Sequence, residues 1–499
     1  MNDTLGWESN RRMRFAWRER SFEVLPALSV RREALRRNLR LITLAWMFGI
    51  VWMAAVTGSQ MTTFCWMLGF RDLDFGLRAS ICFAVTFAQL WAASGIERTG
   101  LRKFPFIFFA SVHRLLYIPM ALIPFILPPG RGATWAFMGL LAVSAVLAHL
   151  SAPAWNMWMG DLIPRRIRGR YFAMRRVWSI PVQVVVVLAA GWLMDLCTLP
   201  QPEGARPTAA TQPYMLWAIV GLFIFAAICG TIDVLLFRRV REVATPPLAM
   251  RPDPGLRLPL LDRFIDTLLE APRLVWQAFG DPVFRYFALY SATIMFATSI
   301  GGDFFMNNAL KNIGYTKVQA NFVLQVCGAL SGLVMARRWG RIIDSWGRRP
   351  VLILTTMGVV LGPVGWLFIP PHAAWWVCVP IGVLTSLWGG VMWGAVELCR
   401  SNVILGFADS AGRGRYSAAV AVVSAVGGAL GAYLGGVVAQ QTQAFNLHLG
   451  PLVWKNYHLC FILSGVMRAF GLIWLVRMPD PQGRPVMALV RSLLAGNRR

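Results

Sequence analysis

The sequence predicts an all-α membrane protein in which twelve transmembrane helices form two pseudo-symmetric six-helix bundles. Three observations lead to this prediction: an apolar composition, twelve apolar stretches of membrane-crossing length, and an internal duplication. Of the 499 residues, 57% are hydrophobic, and the mean hydropathy is +0.54. Soluble domains contain about 45–50% apolar residues by a similar count, so the composition favours a membrane protein.

Twelve stretches are long enough to cross a bilayer, whose hydrocarbon core of about 30 Å needs roughly 20 apolar residues in a helix. We number them spans 1 to 12, at about 41–63, 76–96, 104–127, 133–158, 176–197, 213–237, 285–307, 318–338, 349–370, 373–398, 415–439 and 457–477. The longest gap, 238–284, separates six spans from six. It predicts an N-terminal bundle at 41–237 and a C-terminal bundle at 285–478.

Three segments lie outside the two bundles. Residues 1–40 and 479–499 predict cytoplasmic tails, the first of them basic. The gap at 238–284 predicts a cytoplasmic linker, because it begins with the Pro-rich run TPPLAMRPDPG. The following run, LLDRFIDTLLEAPRLVWQAF, alternates apolar and charged residues at helical spacing. Such a run predicts an amphipathic helix on the membrane surface.

The charge distribution predicts the orientation. The formal net charge is +26, and most of the 49 Lys and Arg residues fall on the side that carries both termini. The exceptions are Arg71, Arg78, Arg131, Arg206, Lys311, Lys317 and Lys455 on the other side, and Arg114, Arg285 and Arg468 in spans. This asymmetry follows the positive-inside rule and predicts cytoplasmic termini. We therefore expect anionic lipid headgroups as partners and no nucleic acid.

Residue types typical of enzymes, metal sites and ATP-driven pumps are sparse. The eight cysteines form no CxxC pair and are expected to pack as apolar residues, and no cofactor or metal is expected. None of the four lysines follows a glycine, which excludes the phosphate-binding Gly-Lys loop of an ATPase. The preference for Arg over Lys is typical of GC-rich bacterial genomes, so a bacterial inner membrane is the expected location. A monomer is expected.

An internal duplication relates the two halves. The charged run WGRIIDSWGRRP at 339–350 resembles ASGIERTGLRKF at 93–104, so that Glu97 matches Asp344 at a separation of 247 residues. The tetrapeptide RGRY occurs at 168–171 and again at 413–416, and Asn156 and Asn402 each shortly precede their copy. Landmarks repeated at nearly one period indicate two halves of similar structure.

The second charged run resembles a loop motif of the major facilitator superfamily, Gly-x-x-x-Asp-(Arg/Lys)-x-Gly-Arg-(Arg/Lys). The matching residues are Gly340, Asp344, Gly347, Arg348 and Arg349. The stretch from about 41 to 477 also shares the six-plus-six layout of that family. Ser345 departs from the motif, and the first copy departs at Ala93, Glu97 and Leu101.

The resemblance implies a conformational latch in which each motif acid reaches the opposite half. We expect Asp344 to cap the start of span 5 near Arg170, and Glu97 to cap the start of span 11 near Arg415. A carboxylate is stabilised at a helix N-terminus by backbone N–H groups and the macrodipole. Gly100 and Gly347 would form tight turns, while Arg98, Arg102, Arg348 and Arg349 would lie at lipid phosphates. Alternatively, all of these charges only follow the positive-inside rule.

The resemblance also implies that spans 1, 4, 7 and 10 line a central cavity, where ionisable groups are functional candidates because burying them is costly. His149, Asp303 and Glu397 are such candidates for substrate binding or ion coupling. Each has an alternative: His149 could be packed and hydrogen-bonded, Asp303 could lie at the water boundary, and Glu397 could pair with Arg400.

The candidate polar and aromatic contacts in these spans are Asn156, Tyr290, Trp388 and Trp393, together with Trp46, Trp52, Trp155 and Trp158. Aromatic rings could stack on a sugar or a flat lipophilic molecule, or could simply pack. Arg114 and Arg468 fall in spans 3 and 12, which the resemblance makes peripheral. We therefore expect structural pairing or snorkelling for both, with an anion site as the alternative.

These patterns predict a secondary active transporter of a small solute that works by alternating access, coupled to protons or another ion. One alternative is a transport-inactive sensor or scaffold with the same fold. Another is a membrane enzyme acting on lipid or glycan, for which Asp72 and Asp74 could hold a metal ion.

Overall fold

The computed structural model describes residues 32–202, 206–242, 276, 279–407, 413–479 and 485–494. Within these residues, twelve helical segments are long and apolar enough to cross a membrane, and each overlaps one predicted span. The predicted all-α membrane fold is therefore confirmed. The amphipathic helix predicted in the linker and most of the N-terminal tail lie outside the described residues.

The N-terminal bundle contains spans 1 to 6, with two short helices between and after them. The spans are Arg32–Ala55, Asp72–Ala84 continuing as Ala88–Thr99, Lys103–Leu115 continuing as Tyr117–Ile126, Arg131–Leu162, Arg165–Leu196 and Pro213–Leu236. Ser59–Met67 follows span 1, and the 3-10 turn Phe237–Arg239 follows span 6.

The C-terminal bundle contains spans 7 to 12. They are Pro282–Gly301 continuing to Ile313, Lys317–Asn321 continuing to Trp346, Arg348–Gly365, Trp375–Phe407, Arg413–Gln441 and Asn456–Arg477. The hairpin strands Asn446–Leu449 and Leu452–Lys455 join spans 11 and 12, and the helix Val486–Leu494 follows span 12. Wide π-helical turns interrupt span 7 at Asn308–Ile313 and span 8 at Phe322–Cys327.

Two spans begin about ten residues earlier than the hydropathy pattern predicted. Span 1 begins at Arg32, and span 5 begins at Arg165, directly after Pro164. Proline is well suited to this position because its ring fixes φ and it has no N–H to leave unpaired. Hydropathy marks only the part of a helix that crosses hydrocarbon, so the basic first turns of both helices were assigned to loops.

The two bundles contact each other through span 2 against span 11 and span 5 against span 8. We call the side where span 1 begins and span 12 ends the terminal side, and the opposite side the distal side. Spans 2 and 11 approach closely near the distal side, where a Cβ added at Gly76 would lie 2.7 Å from the Cα of Gly436. Only glycine permits this approach of two backbones.

Within the C-terminal bundle, span 11 packs closely against span 7. Gly427, Gly431 and Gly435 recur every four residues along one face of span 11. Their Cα atoms face the backbone carbonyls of Ala292, Phe296 and Ile300 in span 7, with no room for a side chain between them. The stripe brings the two helices into direct backbone contact.

Candidate functional site

A cavity of about 530 Å³ lies in the part of the N-terminal bundle nearer the terminal side. Spans 1, 3, 4, 5 and 6 supply its walls, and Ala329 of span 8 touches it from the other bundle. Its aromatic lining residues are Trp46, Phe106, Trp155, Phe172 and Phe237. A cavity of this size and apolar character suits a small organic molecule.

Arg175 is the most unusual residue of the cavity wall. It lies three turns inside span 5 and is only 5% exposed. Its guanidinium carbon lies 4.1 Å from the ring centroid of Trp46 and 5.0 Å from that of Trp155. Among the described residues, no side chain or carbonyl accepts a hydrogen bond from Arg175, and its Nε is buried without a partner. The two indoles therefore hold a buried cation in place without neutralising it.

A second arginine in the same wall has a charged partner. Arg114 of span 3 forms an ion pair with Asp233 of span 6 at 3.3 Å, and its guanidinium stacks on Trp52 at 3.6 Å. The structural pairing expected for Arg114 is therefore confirmed. Residue 49 must be small here, because a Cβ on Gly49 would lie 2.6 Å from Oδ2 of Asp233.

Of the residues predicted to bind substrate, Asn156 lines this cavity, together with the indoles of Trp46 and Trp155. His149 does not line it. One ring nitrogen of His149 lies 2.5 Å from the side-chain amide of Gln89 in span 2, as in the hydrogen-bonded alternative.

The structure does not bring the other predicted contacts to this cavity. Tyr290 is fully buried inside the C-terminal bundle, where its hydroxyl and that of Thr356 share a hydrogen bond of 2.8 Å. Trp393 packs against the same core. Trp388 is 43% exposed and donates a hydrogen bond of 2.8 Å to the carbonyl of Gly358. Sequence alone could not separate the faces of spans 7 and 10, because both are apolar all round.

The remaining two acids have arginine partners. Glu397 pairs with Arg400 at 3.0 Å, one turn away on span 10, as in the alternative interpretation. Asp303 of span 7 pairs with Arg78 of span 2 at 2.8 Å. The second pair joins the two bundles on the distal side.

Asp72 is the centre of a second contact between the bundles on the distal side. Its fully buried carboxylate accepts hydrogen bonds from Tyr457, Gln443 and Asn456 of the C-terminal bundle. It also pairs with Arg206 of the N-terminal bundle. Burial opposes the charge of Arg206, but Tyr457 and Asp72 outweigh it and raise the pKa of Arg206.

Asp195 forms a third contact between the bundles. It lies at the distal end of span 5, and its two carboxylate oxygens accept hydrogen bonds of 2.9 Å from the backbone N–H groups of Lys317 and Val318. These groups begin span 8, so an acid of one bundle caps a helix of the other. The predicted latch is the same kind of contact, but it was expected on the terminal side.

Comparison with known proteins identifies the family. A family model described as Major Facilitator Superfamily matches residues 82–432. The chain belongs to the major facilitator superfamily. No curated protein matches this chain in sequence.

Solved structures of transporters share the fold of this superfamily member. The D-xylose–proton symporter has 13% sequence identity and a TM-score of 0.60, over 90% of this chain and 98% of that one. The inward open xylose transporter XylE from E. coli has 13% identity and a TM-score of 0.59, over 92% and 99%. The nucleoside transporter NupG has 11% identity and a TM-score of 0.53, over 89% and 98%.

The superfamily motif of this chain shows a structural role within each bundle. Arg349 donates hydrogen bonds to the carbonyls of Leu475 and Val476, at the end of span 12. Lys103, at the start of span 3, donates likewise to the carbonyls of Arg238 and Val240, after span 6. Cations are favoured at helix C-termini, so both halves tie their third span to the end of their sixth.

Arg102 and Arg349 therefore differ from the expectation that the motif arginines lie at lipid phosphates. Arg102 pairs with Asp161 of span 4, and partial burial lowers its pKa although Glu242 opposes this. Arg348 is exposed, Gly100 and Gly347 adopt positive φ, and Gly340 lies in the helix of span 8. The side chains of Glu97, Arg98 and Arg415 lie outside the described part of the structure.

The predicted contact between Asp344 and Arg170 is not formed in this conformation. Both side chains are exposed, and no hydrogen bond or ion pair joins them in the described part of the chain. The residues that sequence reasoning missed are Arg175, Asp233, Arg78 and Asp195. The signal for Asp233 was present, since an acid within an apolar span is costly.

Proposed function

We propose that this chain is a secondary active transporter of a small solute that works by alternating access. One observation carries the proposal. In the described residues, the polar contacts between the bundles lie toward the distal side, whereas the cavity lies toward the terminal side. A site closed to one side by side-chain contacts between two similar bundles suits rocking of one bundle against the other.

The positive-inside asymmetry supports placing the terminal side in the cytoplasm, in a bacterial inner membrane. The conformation described here would then be the one closed to the outside. Rocking to the opposite state would separate Asp195 from span 8 and bring the motif loops toward the other bundle. Asp344 would then cap span 5 near Arg170, and Glu97 would approach span 11 near Arg415. Both latches would therefore form in the opposite state, which is open to the distal side.

Asp303 is the candidate for ion coupling that the geometry favours. Within the described residues, its carboxylate contacts the other bundle through the pair with Arg78, and its side chain is one quarter exposed. A coupling cation that bound this carboxylate in place of Arg78 would weaken the distal contact and so favour opening to the distal side.

Side-specific thiol labelling tests the proposal. A chain without native cysteines would carry Gln183→Cys, a position that lines the cavity, and would be treated with a membrane-impermeant reagent from one side at a time. The matched control is Val185→Cys on the same span, which is 66% exposed on the bundle surface and should face lipid.

Alternating access predicts that Gln183→Cys reacts from both sides of the membrane and that Val185→Cys reacts from neither. Reaction of Gln183→Cys from the terminal side alone would contradict alternating access and favour a sensor or scaffold. If both sides label Gln183→Cys, reconstitution of the chain into vesicles with a proton gradient would measure solute uptake directly.

A further inference from the structure

We propose that the substrate is a small organic carboxylate with an apolar body, and that Arg175 binds its carboxylate. This inference rests on the proposed transport function, because it assigns the substrate class of the same cavity.

The first argument is the hydrogen-bonding state of Arg175. A guanidinium presents five N–H donors at its edge, and burying it without acceptors is unfavourable. Trp46 and Trp155 stack on the guanidinium, and no described residue accepts a hydrogen bond from it. The indole rings attract the cation but accept none of its N–H hydrogen bonds in the described residues, so these donors remain available. A carboxylate matches that edge with two parallel hydrogen bonds.

The second argument is the balance of charge in the cavity wall. Arg114 and Asp233 neutralise each other as an ion pair, and Asp233 is 5% exposed. Asp233 also attracts Arg175, so the two arginines and the one acid together carry one net positive charge. An anionic ligand supplies the missing charge at the place where the protein already holds the guanidinium rigidly.

The third argument concerns the rest of the ligand. The amides of Asn156 and Gln183 line the cavity and make no side-chain hydrogen bond within the described ranges. Ile50, Met53 and Phe172 supply apolar surface beside them. One buried guanidinium without a described hydrogen-bond acceptor, two amides and an apolar wall fit a carboxylate on an aliphatic or aromatic body better than a polyhydroxylated sugar, which needs many polar contacts.

Direct binding to the purified full-length chain, in nanodiscs of a zwitterionic lipid, tests this proposal. The probes are benzoate, hexanoate and succinate, each compared with its uncharged amide of nearly the same shape. Thermal stabilisation ranks the probes, and the binding of a radiolabelled form of the best one gives its dissociation constant. Nanodiscs without anionic lipid exclude a lipid of net negative charge as the occupant, and added phosphatidylglycerol tests whether such a lipid competes.

At least one carboxylate should bind more tightly than its amide. Arg175→Gln should weaken that binding by about tenfold or more, since a hydrogen bond to a charged group contributes about 1.5–3 kcal/mol. Arg166→Gln is the matched control, because Arg166 is an exposed arginine of the same helix that is not among the residues lining the cavity. It should leave the binding within about twofold, because exposed charges interact weakly.

Three results would overturn the proposal: equal binding of every carboxylate and its amide, equal losses in Arg175→Gln and Arg166→Gln, or displacement of the bound carboxylate by phosphatidylglycerol. If Arg175→Gln does not fold, Arg175→Lys decides, because lysine keeps the charge but loses the planar fork. It should weaken binding several-fold, and full affinity would contradict the assignment. Binding requires no movement between states, so its outcome is independent of the labelling test for transport.

Discussion

Asp303 of span 7 and Arg78 of span 2 lie 2.8 Å apart, and their ion pair joins the two bundles on the distal side. Each side chain forms its ion pair with a residue of the opposite bundle. The proposed rocking of the bundles would break this pair, so its strength should set how often the distal side opens.

Replacing Asp303 with Asn should shift the protein toward opening on the distal side. The amide keeps the size of the side chain but removes its charge, so the attraction to Arg78 is lost. In the Gln183→Cys background, labelling from the distal side should become several-fold faster. Glu397→Gln, which breaks an exposed pair within span 10, is the control and should not change it. Equal rates in Asp303→Asn and the parent would show that this pair is not a gate.

Two caps of span 8 allow a matched comparison. Asp195 caps the helix from the opposite bundle, whereas Thr316 caps it from its own, by accepting a hydrogen bond of 3.2 Å from Gln319. Asp195→Ala and Thr316→Ala should each cost about 1 kcal/mol of stability, measured by thermal unfolding. Only Asp195→Ala should also speed labelling of Gln183→Cys from the distal side. A similar change in both variants would mean that the cap acts on helix stability alone.

The buried pair of Arg114 and Asp233 should be costly to break. Arg114→Gln leaves the carboxylate of Asp233 buried without its partner, so we expect a loss of about 3–5 kcal/mol in unfolding free energy. Arg400→Gln is the control, because it leaves the carboxylate of Glu397, which is half exposed, and it should cost less than Arg114→Gln. Chemical denaturation of the purified chain compares them. A loss in Arg114→Gln no larger than in Arg400→Gln would contradict the pairing described here.

Gly431 should not tolerate a side chain. A methyl group there would meet the carbonyl of Phe296, so spans 7 and 11 would have to separate. We expect Gly431→Ala to cost about 1–3 kcal/mol, as other overpacked sites do. Gly221→Ala on span 6 is the control, because a Cβ there meets nothing within 4 Å. It should be neutral or slightly stabilising, and thermal unfolding separates the two results.

The fold could be predicted because its signals are local. Twenty apolar residues in succession indicate a membrane span regardless of the neighbouring spans, and the repeated motifs around Asp344 and Glu97 relate the halves without any structure. The ends of spans were less predictable. Span 5 continues outward from the apolar stretch as a basic helix, which hydropathy alone does not distinguish from a loop.

The site was harder to predict because its contacts are distant in sequence. Arg175 precedes the apolar part of span 5 and was counted among the basic residues of a loop. Its environment comes from Trp46 and Trp155, on two other spans. Asp303 and Arg78 are likewise 225 residues apart in the sequence. The residue pattern of one span does not indicate which residues of the other spans it contacts.

The duplicated tetrapeptide RGRY also shows how far the halves have diverged. Arg175 stands seven residues after the start of the first copy, and the same position in the second copy is Val420, a buried apolar residue. The two halves are therefore built alike, but at this position only the first half carries an arginine. A solute bound to Arg175 would move together with the N-terminal bundle, and the C-terminal bundle would move relative to both.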